Sequence, residues 1–144
     1  MRIETPIVTK EQAIKLKEIG FDEQCGSMWG EYDGYEGLHQ RIDNNNRYNG
    51  DKLFSAPTMS FALAWLRKVK EMHISAHPSY NADGIIYMCT VFFIEKETVN
   101  NILLKDEPLT VDYTPPQIFN NYDDANSAGL NYILDYLTKK TRIE

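Results

Sequence analysis

The residues of this chain best suited to nucleophilic or metal chemistry are its two cysteines and three histidines. His73 and His77 are four residues apart, a spacing that brings two metal ligands together only on a helix. The segment around them has the pattern of a strand, and Pro78 opposes a helix. In a strand the two imidazoles would lie about 13 Å apart. We therefore expect no metal site here, and the sequence indicates no cofactor.

The segment Cys25–Trp29 reads Cys-Gly-Ser-Met-Trp and resembles the Cys-Gly-Ser-Cys-Trp segment around the nucleophile of papain-type proteases. Met28 stands where that family has its second cysteine. The mechanism needs a histidine that holds the thiolate as an ion pair, and in that family the histidine lies far downstream. Here no histidine follows His77. A cysteine-dependent hydrolase that uses Cys25 with a histidine is therefore kept only as an alternative.

A group of aromatic residues accompanies the asparagine-rich stretch 44–46. Tyrosine and tryptophan provide large contact area with little side-chain entropy to lose, and they are typical of binding surfaces. Two alternatives remain open for this group, a stacking site for a base or sugar and the aromatic edge of a small sheet. The binding surface that we predict consists of Trp29, Tyr32, Tyr35, Arg47 and Tyr48.

The charge of the chain argues against a nucleic-acid partner. The formal net charge is −6 at pH 7, the sequence pI is about 5.1, and the cations are scattered, so direct phosphate binding lacks its usual driving force. No apolar run approaches the roughly 20 residues of a membrane span, and the N-terminal residues have no apolar signal-peptide core. With two cysteines 64 positions apart we expect a reduced, cytoplasmic protein without a membrane partner.

Local patterns in the first half of the chain predict a helix and a hairpin. Thr9 and Gln12 fit a capping box, and Gly20 fits the left-handed residue that closes a helix, so a helix is expected over Lys10–Ile19. Strands over Cys25–Tyr32 and Gly37–Ile42 follow, with a hairpin turn at Asp33-Gly34.

The second half of the chain predicts a helix, a strand pair and a last helix. Thr58 should cap helix two, whose stripe includes Phe61, Trp65 and Val69. Two strands should pair across residues 81–84, the second of them central and covered on both faces. Asn120 or Asn121 should cap helix three. Before it, Glu97–Leu104 fits either one or two helical turns or a strand, and a short strand is expected over Thr110–Tyr113.

These elements predict a single α+β domain over residues 1–144. The order is α-β-β-α-β-β-(β)-α, and strands that are neighbours in sequence are joined by short turns. The sheet should therefore be mainly antiparallel and covered by three amphipathic helices.

Two segments resemble small uncharacterised proteins that are common in phage and mobile-element regions of bacterial genomes. One is Leu53–Thr58, Leu-Phe-Ser-Ala-Pro-Thr, together with Ala64–Arg67. The other is Tyr122–Leu130, which is similar to the Tyr-x-x-Ala-x-x-Ala-Gly-Leu opening of the last helix in those proteins. The resemblance covers residues 53–140 loosely. It implies a fold more than an activity, and no functional residue is carried over from it.

The sequence is most consistent with a non-enzymatic protein-binding or accessory module of phage or mobile-element type. Its partner would be another protein, and a homodimer is also compatible with the sequence. The alternative is a small enzyme, either the cysteine-dependent hydrolase or a metal-dependent nuclease. A cavity shared by Cys25 and a histidine would favour the enzyme, whereas an exposed aromatic patch would favour the binding module.

Overall fold

The computed structural model describes residues 6–43, 45, 52–99, 102–112 and 119–143. Every pairing between its strands is antiparallel, so the predicted α+β class with antiparallel strands is confirmed. The strands form two three-stranded sheets, whereas the sequence led us to expect one. The elements are α1 Lys10–Glu18, β1 Cys25–Tyr32, β2 Tyr35–Asp43, β3 Leu53–Ser55, α2 Met59–Val69, β4 Met72–Asn81, β5 Gly84–Val99, β6 Ile102–Asp112 and α3 Tyr122–Ile143.

Both ends of α1 are closed by the contacts that the sequence predicts. The Gln12 amide N–H donates to Thr9 Oγ1, and Gln12 Oε1 accepts from the Thr9 N–H at 2.9 Å, which completes the capping box. At the other end Gly20 has a φ of 99°, and the Phe21 N–H donates to the Leu16 carbonyl at 2.9 Å. This Schellman closure ends the helix, and Phe21, which follows it, is buried.

The first sheet has the strand order β2-β1-β3, with β1 in the middle. Gly30 of β1 has a φ of 134°, and a Cβ atom there would lie 1.8 Å from the Lys52 carbonyl oxygen. That carbonyl accepts a hydrogen bond of 3.0 Å from the Glu31 N–H. Glycine at position 30 therefore allows the chain that leads into β3 to approach β1 closely.

The close approach at Gly30 predicts a large difference between two glycine substitutions in the same strand. Gly30→Ala should lower the free energy of unfolding by about 3 kcal/mol or more, because the methyl group meets backbone atoms and the positive φ is strained. Gly26→Ala is the matched control, since a Cβ there has no atom within 4 Å. Urea denaturation of both variants measures the difference. Equal unfolding midpoints would show that β3 does not pack against Gly30.

Helix α2 begins at the predicted cap and buries part of the predicted stripe. The Phe61 N–H donates to Thr58 Oγ1 at 3.2 Å, and Trp65 is 8% exposed, as expected. Phe61 and Val69, however, are 45% and 51% exposed, so their assignment to the buried stripe is wrong. Phe61 packs edge-on against Phe21, with 6.1 Å between ring centroids, which leaves its other side open.

The second sheet has the strand order β4-β5-β6. β5 is central, as predicted, but it is not covered on both faces, because Phe92 is 40% exposed. One face of this sheet lies against α3 at Gly129, where a Cβ would be 2.5 Å from Cys89 Sγ and 2.7 Å from Ile74 Cγ2. The α3 cap is Asn121, whose Oδ1 accepts from the Asp124 N–H at 2.8 Å.

The described chain divides into two compact units. The first comprises the chain up to Ala62 together with the chain from Leu134 onward, and the second comprises Leu63–Ile133. The expectation of one domain over residues 1–144 stays a prediction. None of the described helices is long and apolar enough to cross a membrane.

Candidate functional site

The hairpin of β1 and β2 carries exposed tyrosines from the predicted binding surface. Its turn residues Asp33 and Gly34 have φ values of 54° and 80°, as in the type I′ turn that matches the twist of paired strands. Tyr32 and Tyr35 lie opposite each other beside this turn, and they are 43% and 72% exposed. The predicted turn is confirmed, and the tip of the hairpin presents two tyrosine side chains to solvent.

His39 stabilises this tip. Its Nε2 lies 3.0 Å from both the Gly30 and the Tyr35 carbonyl oxygens. Because a carbonyl oxygen only accepts, Nε2 carries a hydrogen that it shares between the two. The imidazole also packs edge-on against Tyr32, with 5.8 Å between ring centroids. His39 was not among the predicted binding residues, and in the structure it fixes the geometry of the two tyrosines.

Trp29 has a partner within the fold. Its indole Nε1 donates a hydrogen bond of 2.8 Å to the Val8 carbonyl, and its side chain is half-buried. This hydrogen bond joins β1 to the segment before α1. Arg47 and Tyr48 lie outside the described residues, so their place in the predicted surface stays a prediction.

Two apolar side chains of β2 add to the exposed surface. Leu38 is 42% and Ile42 is 72% exposed, and β1 is the neighbour of β2 among the described strands. Side-chain alternation places Leu38 on the face of β2 opposite Tyr35, so the two side chains flank the same edge of the hairpin. We use the name hairpin surface for Tyr32, Tyr35, Leu38 and Ile42.

The tip of the hairpin is acidic. Glu31 and Glu36 lie directly opposite each other in the register of β1 and β2, and Asp33 is exposed in the turn. Like charges in a directly opposed pair destabilise a sheet. The Lys10 ammonium forms an ion pair with Glu36, which relieves part of this repulsion from one side.

The asparagine-rich stretch contains a structural residue. Asn45 is 3% exposed, its Nδ2 donates to the Phe21 carbonyl at 2.7 Å, and its Oδ1 accepts from the Ser55 N–H at 2.8 Å. The amide therefore links the end of α1 to β3. Such a buried amide satisfies backbone groups that would otherwise be unpaired, so its role is in folding.

The structure gives Cys25 the environment of an unreactive thiol. Its side chain is 6% exposed, and its Sγ donates to the Glu23 carbonyl oxygen at 3.4 Å. Burial, with a smaller contribution from the Glu23 carboxylate, raises the pKa of Cys25 to about 11. In the register Cys25 faces Asp43, whereas His39 faces Met28. His39 is therefore not placed to hold a Cys25 thiolate, which is what the hydrolase mechanism needs.

The other candidate ligands also have partners within the fold. His73 packs against Phe92, with 6.3 Å between ring centroids, and His77 Nδ1 lies 3.3 Å from the Ser75 carbonyl. Both lie in β4, so the predicted strand is confirmed. Burial raises the pKa of Cys89 to about 11. Within the described part of the chain, no group of three or more His, Cys, Asp or Glu side chains is arranged to hold a metal ion.

Comparison of the chain with protein-family models, curated proteins and solved structures finds no match. The resemblance of Leu53–Thr58 and Tyr122–Leu130 to phage and mobile-element proteins stays a prediction. The function of the chain is therefore inferred from its own surface.

The raised pKa of Cys25 predicts slow alkylation in the folded state. Iodoacetamide attacks the thiolate, so at pH 7.5 it should modify Cys25 at least roughly tenfold more slowly in the folded chain than in urea. Since the pKa is raised from 9.0 to about 11, this thiol stabilises the fold below pH 9 and ceases to do so as the pH rises through 11. Mass spectrometry of each cysteine peptide measures the rates. Rapid, selective alkylation of Cys25 at pH 6 would contradict this account and favour the hydrolase.

Proposed function

We propose that this chain is a non-enzymatic protein-binding or accessory module of phage or mobile-element type, and that it contacts its partner through the hairpin surface. The observation that carries the proposal is the tip of the hairpin, where Tyr35 is 72% exposed beside a tight turn. A large aromatic side chain that the fold does not bury is available for contact with another protein.

Contacts within the fold already order the hairpin, so the binding of a partner should cost little conformational entropy. The His39 ring packs against Tyr32. The Trp29 indole donates a hydrogen bond to the Val8 carbonyl, and the absence of a side chain at Gly30 lets β3 pack closely against β1. A surface that is already ordered loses less conformational freedom when a partner binds. Tyrosine adds to this advantage because it has few rotatable bonds for its contact area.

The charge of the tip favours a protein partner over a nucleic acid. Glu31 and Glu36 are the next pair along the ladder from Tyr32 and Tyr35, Asp33 lies in the turn, and the formal net charge of the chain is −6. Base stacking on the tyrosines would bring phosphate groups close to these carboxylates, and the repulsion would oppose binding.

The enzymatic alternatives have less support. The Cys25 thiol is buried and its pKa is raised to about 11, so its nucleophilic form is scarce near neutral pH. A metal-dependent nuclease requires clustered carboxylate or imidazole ligands, and the described residues contain no such cluster. The exposed hairpin surface is the stronger basis for a function.

Replacement of one tyrosine tests this proposal against a matched control. Tyr35→Ala should reduce the recovery of the partner protein from cell extract by roughly tenfold, because interface tyrosines carry a large share of binding energy. The control is Tyr80→Ala, a tyrosine that is 83% exposed next to the turn between β4 and β5. The amount of each protein retained by the immobilised variants is measured by mass spectrometry.

Two results would contradict the proposal. One is the retention of identical proteins in equal amounts by the wild type and the Tyr35→Ala variant. The other is micromolar binding of a single-stranded oligonucleotide at physiological salt that is lost in Tyr35→Ala but kept in Tyr80→Ala, which would favour base stacking.

A further inference from the structure

The edges of the two sheets are not protected equally. An exposed edge strand offers unpaired N–H and C=O groups to any extended chain, and proteins commonly protect such edges with short strands or proline. β3 has three residues and is followed by Pro57. The edge strands of the second sheet are β4, which contains Pro78, and β6, which contains Pro108. Three of the four edges among the described strands therefore have one of these protective features.

The fourth edge, β2, has neither feature. Its nine residues Tyr35–Asp43 contain no proline. The pairing with β1 is regular from Tyr35 to Gln40, and the register shifts beyond that point, between Cys25 and Ser27 on the β1 side. Within the described part of the chain, six residues of regular edge therefore have no strand paired on their outer side, about the length of an average strand.

The register identifies the backbone groups that face outward. A two-residue turn is closed by a hydrogen bond between its flanking residues, here Tyr32 and Tyr35, and bonded and non-bonded pairs then alternate along an antiparallel ladder. Glu36, Leu38 and Gln40 fall at the non-bonded pairs, so their N–H and C=O groups point away from β1. The Glu31 N–H, opposite Glu36, is consistent with this alternation, because it donates to Lys52 on the other side of β1.

We propose that β2 binds an extended, basic segment of a partner protein by strand addition. The segment would pair with the N–H and C=O groups of Glu36, Leu38 and Gln40. The side chains of Tyr35 and Leu38, on opposite faces of β2, would contact alternate side chains of the segment. This inference rests on the proposed function, since it assigns the binding mode and the partner chemistry of the hairpin surface.

Charge complementarity favours a basic segment over a second copy of this chain. The tip next to the open edge carries Glu31, Asp33 and Glu36, and a lysine or arginine in the added strand would lie beside these carboxylates. A second copy of this chain also has a formal net charge of −6, so the two copies would repel each other. A basic partner would also relieve the repulsion within the opposed pair of Glu31 and Glu36.

Leu38→Pro tests strand addition, with Leu38→Ala as its control. Proline removes the outward N–H of residue 38 while the bonds to β1 are kept, whereas alanine removes only the side chain. The probe is a fluorescein-labelled heptapeptide, Lys-Thr-Val-Thr-Val-Thr-Lys, followed by fluorescence anisotropy. Leu38→Ala should bind it within about fivefold of the wild type, and Leu38→Pro should bind it at least roughly tenfold more weakly.

Two further arms complete the test. Peptides with glutamine or glutamate in place of both lysines should bind progressively more weakly to the wild type, and added salt should reduce the difference. Circular dichroism and thermal unfolding check that Leu38→Pro is folded. If it is not, Gln40→Pro removes the next outward N–H and is measured in its place.

Each contrary outcome has a distinct meaning. Equal loss in the proline and alanine variants would overturn strand addition in favour of side-chain contact alone. Equal binding of the lysine, glutamine and glutamate peptides would contradict the proposal that the partner segment is basic. A dimer in sedimentation that Leu38→Pro dissociates would replace the partner segment with a second copy. Any of these can occur while Tyr35→Ala still loses the partner protein, so failure here is distinguishable from failure of the proposed function.

Discussion

The arrangement of the first sheet depends on one steric constraint, the absence of a side chain at position 30, which lets β3 pair with β1. Because Gly30 has no Cβ, the Lys52 carbonyl can reach the Glu31 N–H at 3.0 Å. β3 therefore occupies one side of β1, and β2 becomes an outer strand on the other. The open edge is a consequence of this arrangement, since a strand on the far side of β2 would pair with it.

The parts of the fold that could be predicted are those set by neighbouring residues. The capping box of Thr9 and Gln12, the closure at Gly20 and the turn at Asp33 each involve groups within a few residues of one another, and all three are confirmed. The division of the strands into two sheets could not be predicted in this way. It depends on which strands pair over long separations, and local composition does not encode such pairing strongly.

The long β5–β6 hairpin also could not be predicted from local sequence alone. The apolar run of β5 ends at Ile94, and the pattern after it fits helical turns as well as a strand, yet the strand continues to Val99. The two strands pair from Thr90 opposite Asp112 to Val99 opposite Ile102, with a register shift between Glu97 and Thr98. This pairing becomes visible only when the partner strand is known.

The surroundings of the candidate residues could be predicted only in part, for the same reason. The exposure of Tyr32 and Tyr35 follows from their position beside a tight turn. The roles of Trp29, His39 and Asn45 do not, because each bonds to a backbone carbonyl between four and 24 residues away. Polar side chains that look like binding residues in a sequence can thus be used to satisfy the backbone.

Amide hydrogen exchange of the free monomer, measured residue by residue by NMR, tests the open edge most directly. We expect the amides of Glu36, Leu38 and Gln40 to exchange much faster than those of Gly37 and His39, which face β1. Equal, strong protection of Leu38 and Gly37 would contradict the account, because it would mean that the outer edge of β2 is already paired within the chain.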